Sequence, residues 1–413
     1  VAFDLADAGF DAEALQVLTT VDAPSTPMVR YTAAWLHHRM GHREEAAALC
    51  RQAQGQRVTA FFPYRLKELD VLRWAAVASD DATARNLLAC ELYDKGHWAQ
   101  AAALWEEACR LAPQEAQYKR NLAVALLSHL HQPQRALRLL KEALALDSKH
   151  QQYIIEYLYA AAKANAPVEE RLQVIAQYPV QGRQRDDYVL EVAKVYCLAG
   201  DYAQAKALMQ AHRFMPAEGG EIAINSVHFH IRLHEVRAAL AAGNAAEAHI
   251  LAQHPEVLPE NLHSGFWKQS EMVPLRYYDA VALAQMGRTE EAAEQYRLML
   301  QRFNAKLPDM AFYYAQAMKA LGQEIEARTY LSRIVESLDF RDAHPAYGWE
   351  DMISEFNSYM NDPQAQRDGM TCYWRSMVQR CAGNTAAART LLEKSLRLWP
   401  ENIAAAQELE FLA

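Results

Sequence analysis

Glu218 and Glu221 flank a pair of glycines, and a second acidic pair, Glu68 and Asp70, follows the stretch Phe62-Pro63-Tyr64-Arg65. Cleaving a glycosidic bond takes two carboxyl groups facing each other across a sugar ring, roughly 5–9.5 Å apart. One protonates the leaving oxygen and the other attacks or activates water. The same glutamates serve as helix caps, because a carboxylate at a helix N-terminus accepts its free backbone N–H groups. Capping is the expected role, with ligand contact second and acid–base chemistry a distant third. Tyr64 brings a stacking ring and Arg65 a planar fork of donors suited to a carboxylate or sugar hydroxyls. Packing of a helix start accounts for both as readily. Asn261 and His263, from Pro259-Glu260-Asn261-Leu262-His263-Ser264-Gly265, complete the ligand-contact candidates: Tyr64, Arg65, Glu218, Glu221, Asn261 and His263. No residue is assigned a catalytic role.

His228, His230 and His234 lie close together, and His230 and His234 share a helix face at i,i+4, a spacing able to hold zinc. The glutamate of a His-Glu-x-x-His site is replaced by Ile231, and no further ligand is evident. No metal and no cofactor are expected.

These groups hang on a repeat. Gly-x-x-x-x-Ala recurs as Gly9…Ala14, Gly41…Ala46, Gly96…Ala101, Gly200…Ala205, Gly243…Ala248, Gly287…Ala292, Gly322…Ala327 and Gly383…Ala388, with His131…Ala136 in the same series. The glycine turns the chain between two antiparallel helices, and the alanine sits where a second helix approaches too closely for a larger side chain. Several copies lie about one 34-residue tetratricopeptide unit apart. Such a unit cannot bury its apolar faces alone, so copies stack into a solenoid. The fold expected is all-α: a tetratricopeptide-like right-handed superhelix over residues 1–413, of roughly nine to eleven helix pairs. Longer gaps put inserted material near residues 55–80, 214–235, 256–275 and 338–370, and insertions often mark a binding face.

The 413 residues carry a net charge of −9 with no Lys/Arg block, which argues against a nucleic-acid partner. No apolar run reaches membrane-spanning length, so no membrane partner is expected. The six cysteines form no Cys-x-x-Cys pair and fall within apolar helical patterns, pointing to a reducing, cytoplasmic setting. Twenty tyrosines and eight tryptophans are rich for a helical repeat; some are expected to line a groove or meet a second domain. The apolar ends, Val1, Phe3 and Leu5 at one and Leu409, Phe411 and Leu412 at the other, leave a homodimer open. The alternative for the C-terminal end is folding back onto the last repeat.

Phe62-Pro63-Tyr64-Arg65, Glu68-Leu69-Asp70-Val71-Leu72, Tyr93-Asp94-Lys95-Gly96, Ala103-Leu104-Trp105-Glu106, Arg120-Asn121-Leu122-Ala123, Glu218-Gly219-Gly220-Glu221 and Pro259-Glu260-Asn261-Leu262 go beyond a generic repeat. Together they resemble the C-terminal repeat region of bacterial proteins that carry an N-terminal DUF5107 domain. The resemblance implies a β-rich, carbohydrate-active domain ahead of the repeats. It fits a chain opening at Val1 in what reads as mid-helix, as the later part of a longer protein. The function it implies is a scaffold that docks a companion domain or protein and supports a carbohydrate site. A glycan-processing enzyme using loop carboxylates and a peptide-binding adaptor are the alternatives.

Overall fold

The computed structural model describes residues 1–20, 26–56, 61–179, 183–215, 220–265, 269–302, 308–344 and 363–412. Among them are 22 α-helices and no strand. The fold is an all-α, tetratricopeptide-like helical-repeat solenoid, and its chain divides into two compact units, Val1–Ala160 and Ala161–Ala413.

The first unit contains α1 (Ala2–Asp7), α2 (Asp11–Thr19), α3 (Pro27–Arg39), α4 (Arg43–Ala53), α5 (Leu66–Ala78), α6 (Ala82–Asp94), α7 (Trp98–Leu111), α8 (Ala116–Ser128) and α9 (Pro133–Leu146). Helix α10 (Gln151–Lys163) runs across the division. The second unit continues with α11 (Val168–Gln177), α12 (Asp186–Leu198), α13 (Tyr202–Ala211), α14 (Gly220–Ala241), α15 (Ala245–Ala252), α16 (Gln269–Gln285) and α17 (Thr289–Arg302). It ends with α18 (Ala311–Ala320), α19 (Glu324–Ala343), α20 (Pro363–Cys381), α21 (Thr385–Leu398) and α22 (Ile403–Glu410). Consecutive helices pack as hairpins, most intimately α3/α4, α6/α7, α8/α9, α16/α17 and α20/α21.

The repeat signature has a direct physical basis. Ala14, Ala46, Ala101, Ala136, Ala205, Ala248, Ala292, Ala327 and Ala388 are all buried, each early in the second helix of a hairpin. Gly96 takes φ +80° in the turn between α6 and α7, and His131 takes φ +50° at the matching turn between α8 and α9. A β-carbon built on Gly96 would meet nothing within 4 Å, so the constraint there is the left-handed backbone alone. Gly96→Ala should therefore cost about 1–2 kcal/mol. His131→Gly should recover part of the same strain, less the extra freedom glycine gains when unfolded. Urea denaturation of the two variants, moving the midpoint in opposite directions, checks this.

Polar caps set the helix starts: Asp81 accepts from Thr83 N at 3.0 Å, Asp201 from Gln204 N at 3.1 Å and Asn402 from Ala405 N at 3.2 Å. Pro133 occupies the first turn of α9, where its missing N–H is not needed. The weakly marked stretch between His131 and Gly200 holds α10 and α11.

The extra material is largely helical. Helix α5 is an additional helix ahead of the α6/α7 hairpin. Helices α14 and α19 run to 22 and 20 residues, longer than their neighbours. Of the segment expected near 338–370, residues 345–362 lie outside the described residues.

Candidate functional site

The structure gives each sequence candidate that it describes a local setting. Tyr64 is 56% exposed. Arg65 donates through Nε to its hydroxyl at 3.2 Å, and the guanidinium lies over the tyrosine ring at 5.3 Å. Arg65 is also the N-cap of α5, and Glu68 reaches back to accept from the N–H groups of Tyr64 and Arg65, both at 3.0 Å. Glu68 thus caps a helix. Phe62 and Leu66 are exposed beside Tyr64, forming a short apolar strip.

Glu221 lies in the first turn of α14, where the helix dipole favours a carboxylate. Glu218 lies outside the described residues. Asn261 is turned inward: its Nδ2 donates to the carbonyls of Met209 and His212, both at 2.8 Å, and its own carbonyl accepts from Phe214 N at 2.9 Å. His263 adopts φ +46° and accepts from Arg213 Nε at 2.8 Å. Tyr64 and Arg65 belong to the first unit, and Glu221, Asn261 and His263 to the second.

Asn261 also borders a half-open cleft of about 470 Å³ formed by α13, α14, α15 and the turn 259–262. Arg232 pins one wall by donating to Leu251 O at 2.8 Å and to the Gln253 carbonyl. His228 contributes a buried Nε2 without a hydrogen-bond partner, and Ile250 and Val257 form a largely exposed apolar lip. Burial, with Arg232 and Lys206 nearby, pushes the His228 imidazole down to about 4.

The first unit holds a buried carboxyl of the opposite kind. Glu91 is fully buried with neither oxygen hydrogen-bonded, and burial followed by the charge of Glu68 raises it to about 7. The unfolded chain, near 4.5, has already lost this proton where the folded chain still holds it. Stability from this group therefore falls as pH rises between about 4.5 and 7. Glu91→Gln should raise the melting temperature at pH 8 and leave it nearly unchanged at pH 4, a difference that thermal melts at the two pH values resolve.

The densest polar assembly was not among the sequence candidates. Its centre is Glu408 on α22, only 2% exposed. Arg237 of α14 donates to both of its oxygens, at 2.8 and 3.3 Å, and Arg380 of α20 donates to Oε2. The Tyr313 hydroxyl of α18 lies 3.5 Å from Oε1. Burial opposes the charge of both arginines, but Glu408 together with Tyr278 and Tyr313 outweighs it and holds both guanidinium groups above their usual range. Arg237 is stacked between Phe411, 4.1 Å from its ring centre, and Tyr278 of α16 at 5.5 Å; Arg380 lies over Phe312 at 4.1 Å.

Neighbouring residues of α22 are read as well. Gln407 donates to His230 O at 2.9 Å, and Glu410 meets His234 Nε2 at 3.0 Å. His230 and His234, spaced for a metal, face α22 instead. Burial lowers the His230 imidazole, offset in part by its hydrogen bond to Gln407. No group of three or more His, Cys, Asp or Glu side chains suited to a metal occurs among the described residues.

All six cysteines are free, and burial pushes Cys90 and Cys197 up to about 12, so these two are thiols at neutral pH. No described helix is long and apolar enough to cross a membrane.

No protein-family model matches the sequence. Among solved structures, the human IFIT1 dimer with PPP-AAAA is 14% identical, with 96% of this chain and 89% of that chain covered and a TM-score of 0.32. A tetratricopeptide repeat protein from Parabacteroides merdae ATCC 43184 is 14% identical over 67% of this chain and 94% of that chain, with a TM-score of 0.31. Naa15/Naa10 bound to HypK-THB is 12% identical over 98% of this chain and 63% of that chain, with a TM-score of 0.35. Likeness at this level carries no functional information.

Proposed function

We propose that the protein is a helical-repeat scaffold that docks other polypeptides. The observation carrying this lies in the second unit, where α14, α18 and α20 each contribute a side chain to the recognition of one short helix and Tyr278 of α16 backs Arg237. Helix-in-groove recognition gains affinity from buried anchors and specificity from paired charges. Here Glu408 supplies the paired charge and the half-buried Phe411 an aromatic contact within the chain.

The sequence resemblance supplies a partner: a β-rich domain of the DUF5107 type, preceding the repeats or on a companion chain, with a carbohydrate site that the scaffold supports. The exposed strip of Phe62, Tyr64 and Leu66 with Arg65 beside it is a surface suited to such contact. A carbohydrate ligand held by Tyr64, Arg65 or Glu221 belongs to the same proposal. The glycan-processing alternative is less well supported, because the described carboxylate nearest the Phe-Pro-Tyr-Arg stretch, Glu68, is engaged as a cap.

Co-expression of residues 1–413 with a DUF5107-type β-rich domain tests this reading. The scaffold predicts a stoichiometric complex in light scattering, and no sugar release by the repeat chain alone. Sugar release by residues 1–413 without a partner, or a β-rich domain that never co-elutes, overturns it.

A further inference from the structure

The second unit treats its last helix unlike an ordinary end cap. A solenoid is normally closed by a helix whose apolar face covers the last repeat and whose polar face meets water. Helix α22 does the first: Ala405 and Leu412 pack with Ala388 and Leu392, and Leu409 joins them. Its polar side, however, meets helices far earlier in the chain, with Gln407 and Glu408 buried there. Gln407, Glu408, Glu410 and Phe411 meet His230, His234 and Arg237, some 171 to 177 positions away.

The reading is specific. Arg237 binds a carboxylate through two nitrogens while stacking on an aromatic ring three residues further along α22. Arg380 adds a second cation from α20, with the Tyr313 hydroxyl beside the carboxylate and Tyr278 against Arg237. The two arginines make the groove positive, and the segment seated in it carries Glu408.

We propose that this groove is a receptor for helix ends bearing a glutamate and, three residues on, an aromatic side chain, with α22 its occupant in cis and a partner helix of the same chemistry its occupant in trans. This rests on the docking function above and adds a helical element to the partner chemistry. One further feature favours exchange. Helix α22 has eight residues, too few to hold a helix on its own, so it forms only while seated. A tethered occupant competes at an effective concentration in the millimolar range, so a trans helix enters appreciably only when it binds better or when the cis contact is weakened.

A labelled synthetic peptide spanning residues 400–413 is the probe, titrated into the full chain by fluorescence anisotropy. The Glu408→Gln chain, whose own helix loses its charged contact, should bind the peptide at least tenfold more tightly than the unaltered chain. Peptides with Gln in place of the glutamate corresponding to Glu408, or Ala in place of Phe411, should bind at least tenfold more weakly. Hydrogen exchange on the unaltered chain gives a second measurement should the Glu408→Gln chain fail to fold. Saturating peptide should deprotect the amides of α22 while leaving α12 and α14 protected.

No binding to a folded Glu408→Gln chain at millimolar peptide overturns the proposal, as does equal binding of the altered peptides, or unchanged protection of α22. A β-rich partner that co-elutes equally with the Glu408→Gln chain would leave the docking function standing while these results remove the groove as its seat.

Discussion

Replacing Glu408 by alanine should lower the unfolding free energy of the second unit by about 3–5 kcal/mol, the usual cost of removing one partner from a buried ion pair. The side chains of Arg237 and Glu408 are 4% and 3% exposed, so water cannot take over the lost contact. Two guanidinium groups would be left without their carboxylate, beside Tyr278 and Tyr313. Burial already works against their charge, and Glu408 is the largest of the groups that offset it.

The size of that loss does not mean that the pair contributes as much net stability. Desolvating three charges cancels much of their attraction, and an apolar replacement of matched shape can be neutral or better. Arg237→Met with Glu408→Leu should accordingly be less damaging than Glu408→Ala alone. Arg380 remains in the double variant, so recovery will be partial. Hydrogen exchange in increasing urea, resolved along α14, α20 and α22, measures both variants. A change under about 0.5 kcal/mol for Glu408→Ala, the range of an ordinary surface substitution, would show the pair to be solvated and the closure loose.

The repeat architecture was legible because its signal is local. Each Gly-x-x-x-x-Ala encodes a left-handed turn and a close helix crossing within six residues, and His131 could be recognised as a variant of the same turn from Ala136 and Pro133 alone. Helix α5 was harder, since an added helix between hairpins leaves only a long gap and an apolar stripe. The Glu408 assembly was not legible at all. Arg237, Arg380 and Glu408 each lie in a helix that carries other charged residues, where a single charge normally means a solvated face. What buries them is contact across 171 positions, which no short window reports. One weak signal existed: His230, Ile231 and His234 mark a face of α14 that is neither plainly apolar nor plainly solvated.

The ligand-contact set is ambiguous for a different reason. Its residues are polar and sit in segments between repeats, and the same properties suit a residue that stitches a loop to a helix end. Asn261 does this through carbonyls, and Glu68, outside that set but beside Tyr64 and Arg65, does it through backbone N–H groups. Arg65 and Tyr64 face each other and remain exposed, so they stay open to a ligand.

Asn261→Ala is expected to be the most damaging single change in that set, costing about 2–3 kcal/mol through two lost hydrogen bonds at a partly buried site. Its Nδ2 satisfies the carbonyls of Met209 and His212, which lie at the end of α13, where helix carbonyls lack intrahelical partners. Its backbone carbonyl anchors Phe214, a fully buried ring. Loss of the amide leaves two acceptors unpaired and loosens the joint between the 259–262 turn and α13, a joint that also forms one edge of the cleft beside His228. Asn261→Asp should be at least as harmful, because a carboxylate presents no donor to either carbonyl and adds a charge beside them. A ligand contact at Asn261 would give the reverse pattern, an unchanged melting temperature with weakened glycan binding. Melting temperatures of the two variants beside glycan titrations decide between them, and an Asn261→Ala chain as stable as the parent would refute the structural role argued here.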